Sequence, residues 1–278
     1  MAKQLLIYDQ VVAVSPQRHG KKSIKANSNY SYAREVNSVP LMAAEFEAAS
    51  LEYAIVFAGE AGSIMPVALL GLRDSENAFV DRQGAWTGKY VPAFVRQYPF
   101  VFASTDRGDT FTLCVDETSS VLNEEGLGER LFDAAGERTQ YLQGVLGFLQ
   151  AYQAQFRATR RFVQRLEDLK LLEAMEAQFT LGAGQQIKLG GFHTVNRERL
   201  RAVEGDVLAQ LARSGELDLI YAHIHSMRNL TPVAERVRNA ASEASAAAPE
   251  TTDTPEAAPA GEAASGRKGR RSSASSDN

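Results

Sequence analysis

Between Trp86 and Phe102 the chain reads W-T-G-K-Y-V-P-A-F-V-R-Q-Y-P-F-V-F, and these 17 residues carry six of its 23 aromatic side chains. Each ring can bury about 150–250 Å², so a segment this dense belongs either to a core or to an adhesive surface. Pro92 and Pro99, with Gly88, argue against a regular helix through it. Trp86 (the only tryptophan), Tyr90 and Tyr98 are the ring candidates for contact with a ligand or partner. Arg96 lies among them. Its guanidinium can stack on a ring for about 0.5–2 kcal/mol, or take a carboxylate or phosphate in bidentate fashion. The competing readings are rings folded into the core and an arginine that pins a loop through backbone carbonyls.

The rest of the composition narrows the classes open to the chain. With 30 basic and 34 acidic residues the net charge is −4, which supplies no general attraction to phosphate backbones and disfavours nucleic acid as a partner. Cys114 is the only cysteine, excluding an intramolecular disulfide and any multi-cysteine metal site. The first residues, M-A-K-Q-L-L-I-Y-D-Q-V-V-A-V, break their apolar runs at Asp9 and Gln10 and do not read as a signal peptide. The most apolar windows elsewhere fall far short of the ~20 residues that span a bilayer. The expectation is therefore a soluble, cytoplasmic protein without membrane insertion, reaching the cell surface only by a signal-independent route.

Patterning predicts an α+β fold in a single unit over residues 1–238: a β-rich part (1–120), a helical part (139–180) and a βαβ-like part (186–226). Short strands are expected at Leu5–Tyr8 and Val11–Val14. Tyr53–Ala58 and Ile64–Leu72 read as a hairpin around Gly59 and Gly62, with Pro66 at an edge or at the start of its strand. Asn77–Asp81 and Trp86 suggest another strand and turn. Phe111–Asp116 alternates, with Phe111, Leu113 and Val115 on one face. One helix interrupts this region from Pro40, with Ser38 as its cap. From Thr139 the period becomes helical through Leu142, Val145, Leu149, Tyr152 and Phe156, then slips to Phe162, Leu166, Leu169 and Leu172. That slip predicts a helical hairpin or one kinked helix ending near Gly182–Gly184, with Gly144 and Gly147 at a close packing contact. Strand Gln186–Val195, helix Arg197–Arg213 and strand Leu217–His225 complete the βαβ-like unit. After Val237 there is no aromatic residue and, proline aside, no apolar residue larger than alanine, so 239–278 is expected to be a disordered tail whose cluster Arg267, Lys268, Arg270 and Arg271 can touch an acidic surface.

Candidate chemistry is sparse. On a strand, His223 and His225 would share a face and could reach one metal with His193 or Glu235 as a third ligand. A hydrogen-bonded or solvent-facing pair is the plainer reading. Nothing near Cys114 lowers its thiol pKa, and neighbouring Asp116 raises it. Asp116 and Glu117, adjacent in sequence, would point apart. Gly182–Gly184 lacks the third glycine of a dinucleotide fingerprint, and neither a phosphate-binding P-loop nor a nucleophile elbow occurs. No catalytic residue and no cofactor are assigned.

The stretch E-N-A-F-V-D-R-Q-G-A-W-T-G-K-Y-V-P-A-F-V-R-Q-Y-P-F resembles the SapC family of bacterial proteins. The likeness continues in V-P-L-M-A-A-E-F-E-A-A-S-L-E-Y-A-I-V-F, V-A-L-L-G-L-R, C-V-D-E, G-E-R-L-F-D, T-R-R-F-V-Q-R-L and G-G-F-H-T-V-N-R-E-R-L, over roughly residues 5–235. The resemblance implies an association with a bacterial surface layer or outer-membrane uptake system and transfers no catalytic residues. A peptide-transporter permease of the same name does not apply, because a permease needs several membrane spans. The leading expectation is a non-catalytic binding or assembly protein whose partner is another protein of such a system, through Trp86, Tyr90, Arg96 and Tyr98. The alternatives are a metal-dependent oxygenase-like or tailoring enzyme using His223, His225 and His193, and a cytoplasmic regulator or chaperone.

Overall fold

The computed structural model describes residues 6–26, 28–104, 111–180 and 186–246. They form an α+β fold of three antiparallel sheets laced together by one long helix. The first sheet orders β1 (Val11–Ala13), β7 (Phe111–Asp116) and β6 (Phe100–Ser104) side by side. A small second sheet sets β2 (Ser23–Ile24) between β8 (Leu122–Asn123) and β9 (Glu129–Arg130). The third has five strands in the order β10 (Leu172–Thr180), β11 (Gln186–Val195), β4 (Ile55–Ala58), β5 (Met65–Leu69) and β3 (Ser38–Pro40).

The β4–β5 hairpin turns through Gly59 and Gly62, both at positive φ, where a side chain would be strained. Pro66 sits at the start of β5, pairing with Phe57, and β5 is an inner strand. Leu6 and Ile7 form a turn, not the expected strand. Pro40 ends β3, and the helix expected there reduces to a 3-10 turn (Ala43–Glu45) running into α2 (Phe46–Ala49), after the four-residue α1 (Pro16–His19). Its cap is not Ser38. The Glu45 carboxylate reaches back to accept the Met42 N–H at 2.9 Å, an acidic residue closing its own first turn. A further short helix, α3 (Ala93–Arg96), follows in the aromatic segment.

The central helical region is one helix, α4 (Gln140–Asp168), capped by the Thr139 hydroxyl, which accepts the Leu142 N–H at 3.3 Å. The slip in its apolar stripe marks a change of partner. Leu142 and Leu149 pack into one core with Phe100, Val115 and Phe132, whereas Phe162, Val163 and Leu166 join the larger core with Phe46, Ile55 and Phe57. Gly144 and Gly147 face open space, not a packing contact. The helix ends where Lys170 takes φ 53°. There the Leu171 N–H donates to Leu166 O and the Lys170 N–H to Glu167 O, both at 2.9 Å, a Schellman close in which lysine stands where glycine is usual. The chain leaves as β10, so the part of the expected helical region from Leu172 to Thr180 is a strand. Leu172–Thr180 consists largely of helix formers, but pairing with β11 overrides their propensity.

The C-terminal unit is not βαβ. After β11 come α5 (Arg197–Arg201) and α6 (Gly205–Arg213), and then Leu217–His225 lies in a helix, α7 (Glu216–Ser226), where a strand was expected. Gly215 at φ 75° separates the last two. The apolar run L-x-L-I-x-x-x-I fits either period; the buried Ile220, His223 and Ile224 are the inner face of a helix. A last helix, α8 (Leu230–Ala246), inserts Val233 and Val237 into the larger core and continues past residue 239. The remainder of the expected tail, with its arginine–lysine cluster, lies outside the described residues. Among the described residues no helix is long and apolar enough to cross a membrane.

Candidate functional site

The segment after Trp86 has little regular structure, so its backbone donors need other acceptors. Two carboxylates supply them. Glu52 accepts the Lys89 N–H at 2.9 Å and the Tyr90 N–H at 2.5 Å. Glu45, buried, accepts the Tyr90 hydroxyl and the Ala93 N–H, each at 2.7 Å. Both acids flank α2, so the segment is clamped to that helix. The Tyr53 hydroxyl donates to Tyr90 O, and the Trp86 indole N–H lies 3.1 Å from that hydroxyl and 3.2 Å from the same carbonyl. Burial, with the Glu45 hydrogen bond and charge, pushes the Tyr90 phenol up to about 12.

The rings form a continuous belt. Tyr8 meets Tyr98 at 5.5 Å, and Tyr98 stacks on Tyr32 at 3.9 Å. Tyr30 touches Tyr32 at 6.1 Å and Trp86 at 5.7 Å; Trp86 lies 6.1 Å from Phe79, which meets Tyr53 at 4.7 Å. Tyr98, Tyr32, Tyr30 and Trp86 are half-buried, while Phe79 and Tyr53 are fully buried. Arg236 of α8 covers Phe79 at 4.6 Å and donates to the Thr87 hydroxyl at 3.1 Å. Arg96 is exposed. Its Nε donates to Val91 O at 2.9 Å, and its guanidinium lies 5.7 Å from the Tyr90 ring centre and 5.5 Å from that of Phe148 on α4. The structure thus joins Trp86 and Tyr98 through Tyr30 and Tyr32, and Tyr90 to Arg96 on the side of α4. The belt's other rings come from residues 8–79, and nothing in the sequence marks them as neighbours of Trp86.

The histidines do not gather. On α7, His223 and His225 point about 200° apart; His225 is exposed beside Tyr221, and Glu235 is exposed on α8. His223 is fully buried with both nitrogens engaged: Nδ1 is 2.8 Å from Ile55 O, and Nε2 accepts the Val195 N–H at 3.0 Å. β11 and β4 pair at Phe192↔Ala58 and His193↔Phe57, so the same register would next set Val195 against Ile55 as a hydrogen-bonded pair. The imidazole sits in that place, donating to one strand and accepting from the other. Ser226, one turn on, accepts the Ile55 N–H at 3.0 Å and donates to His223 O at 2.6 Å. Together they wedge α7 into the end of the sheet. Burial lowers the His223 pKa to about 4, so the ring is neutral, as its two roles require. His193 is half-buried on β11 opposite Ala174 and Phe57. Among the described residues no three His, Cys, Asp or Glu side chains are placed to hold a metal ion.

Asp116 and Glu117 do diverge. Asp116 accepts N–H groups of Asp9, Gln10 and Thr118 and the Thr118 hydroxyl. Burial works to raise its pKa, but these bonds outweigh it and hold the carboxyl below its usual range. Glu117 takes a two-pronged Arg18 at 2.5 Å and Nε2 of buried His19 at 3.2 Å. Arg18, through its hydrogen bonds, holds its pKa down, while burial works to raise it. Cys114 is buried, which raises its thiol pKa.

The SapC family model matches residues 14–232, from the end of β1 into α8, and the chain belongs to the SapC family. Neither the curated proteins nor the solved structures contain a match.

Proposed function

We propose that this SapC-family chain is a non-catalytic binding or assembly protein that engages another protein, of a bacterial surface or uptake system, through its aromatic belt. The observation that carries this reading is the run Tyr98–Tyr32–Tyr30–Trp86: four touching rings, all half-buried. Protein interfaces are enriched in tyrosine, tryptophan and arginine, and rings locked by neighbours lose little entropy when a partner covers them. Arg96, exposed and with its guanidinium over the Tyr90 ring, extends the same surface chemistry toward α4.

The test compares wild type with Tyr30→Ser and Arg96→Ala. Stability is measured by denaturant unfolding, and capture of the native partner from surface fractions is measured per folded molecule. Reduced capture with stability changed by less than about 1 kcal/mol supports a docking role. Lost stability with unchanged capture makes the belt a core and removes the reading.

A further inference from the structure

The smaller core is open at one end. Beside the start of α4 a cavity of about 780 Å³ enters it, within the size range of small-molecule sites. Phe132 and Leu142, both buried, form its floor, and the half-buried Val14, Phe111 and Leu113 form its walls. Its mouth is polar. Phe132 and Arg138 face each other across an antiparallel bridge, so the Arg138 side chain starts from the face that turns Phe132 into the cavity. Glu137, one residue earlier, also borders the cavity. Among the described residues Arg138 has no carboxylate within ion-pair distance. The 29-residue helix α4 begins two residues later, bringing the partial positive charge of its N-terminus to the same end.

We propose that this cleft binds a small amphipathic anion from solution, its apolar chain on the Phe132–Leu142 floor and its carboxylate on Arg138. The apolar floor selects for hydrocarbon. Arg138 and the helix start select an anionic headgroup over a neutral or cationic one. The site is separate from the aromatic belt and does not depend on the proposed partner.

Calorimetric titration of the full chain with monomeric decanoate tests it, with decanol and decyltrimethylammonium as headgroup controls. Saturable binding of one decanoate per chain is expected, stronger than that of either control. Arg138→Glu, at an exposed position, should weaken decanoate on the order of tenfold while leaving decanol unchanged. Gln143→Trp places a ring across the mouth from an exposed helical position and should abolish binding of both, with the circular dichroism and melting temperature checked in each variant. Absence of saturable decanoate binding overturns the proposal. So does decanoate binding that Arg138→Glu leaves intact, or binding only to phosphatidylglycerol vesicles, which would mark a membrane-facing surface.

Discussion

Replacing His223 by glutamine should remove most of the pH dependence of stability between pH 6.5 and 4. In the folded chain the neutral imidazole donates to Ile55 O and accepts from Val195 N–H, and a second proton on the ring would destroy the acceptor. Its pKa lies near 4 in the fold against an ordinary 6.5. Between those values the unfolded chain binds the proton and the folded chain does not, so stability falls as pH falls. The contribution is complete above pH 6.5 and gone below about pH 4. At 1.36 kcal/mol per pKa unit it amounts to about 3 kcal/mol, a large share of the 5–15 kcal/mol typical of a domain. Glutamine keeps a donor and an acceptor but does not titrate. Urea unfolding of both proteins, followed by circular dichroism at several pH values, gives the difference directly. The lowered carboxyls of Asp116 and Glu117 are common to both proteins and cancel. Equal pH dependence in the two proteins would refute the wedge as described. Alanine at the same position is a harsher change, because it orphans two buried backbone groups at about 1–3 kcal/mol each and also leaves a cavity.

Four other positions carry expectations measurable in the same unfolding assay. Gly144→Ala and Gly147→Ala should each stabilise the chain by about 1 kcal/mol, since both lie within α4 and face open space; destabilisation would mean that something packs there. Lys170→Gly should stabilise by up to about 1 kcal/mol by relieving positive φ in the Schellman close, and a loss would show that the lysine side chain matters more than its backbone. Glu45→Ala should cost about 3 kcal/mol or more, because Met42 N–H, Tyr90 hydroxyl and Ala93 N–H lose one shared acceptor; a change within 0.5 kcal/mol, the scale of ordinary surface substitutions, would contradict the clamp.

The aromatic segment was legible as a feature but not as a site. Its density and prolines foretold an irregular, ring-rich stretch. Its position depends on Glu45 and Glu52, acids that in sequence read as the polar face of a helix. Tyr30, Tyr32, Phe79 and Tyr53 give no sign of meeting Trp86, because ring contact has no local pattern. The histidine pair misled for a related reason: an apolar run with no glycine or proline inside it satisfies strand and helix periods alike.

What the sequence determined by itself was local. Gly59 and Gly62 required the β4–β5 turn, strict alternation required β7, and Thr139 with the stripe behind it required α4. The tertiary structure decided the rest, where local preference was weak or opposed. Leu172–Thr180, rich in helix formers, became a strand because Lys170 closes α4 and β11 offers a full ladder. Leu217–His225 became a helix because His223 and Ser226 then reach the backbone groups that β4 and β11 leave unpaired where they part. In both places the interactions that outweigh local propensity come from residues distant in the chain, so no reading of a short window could contain them.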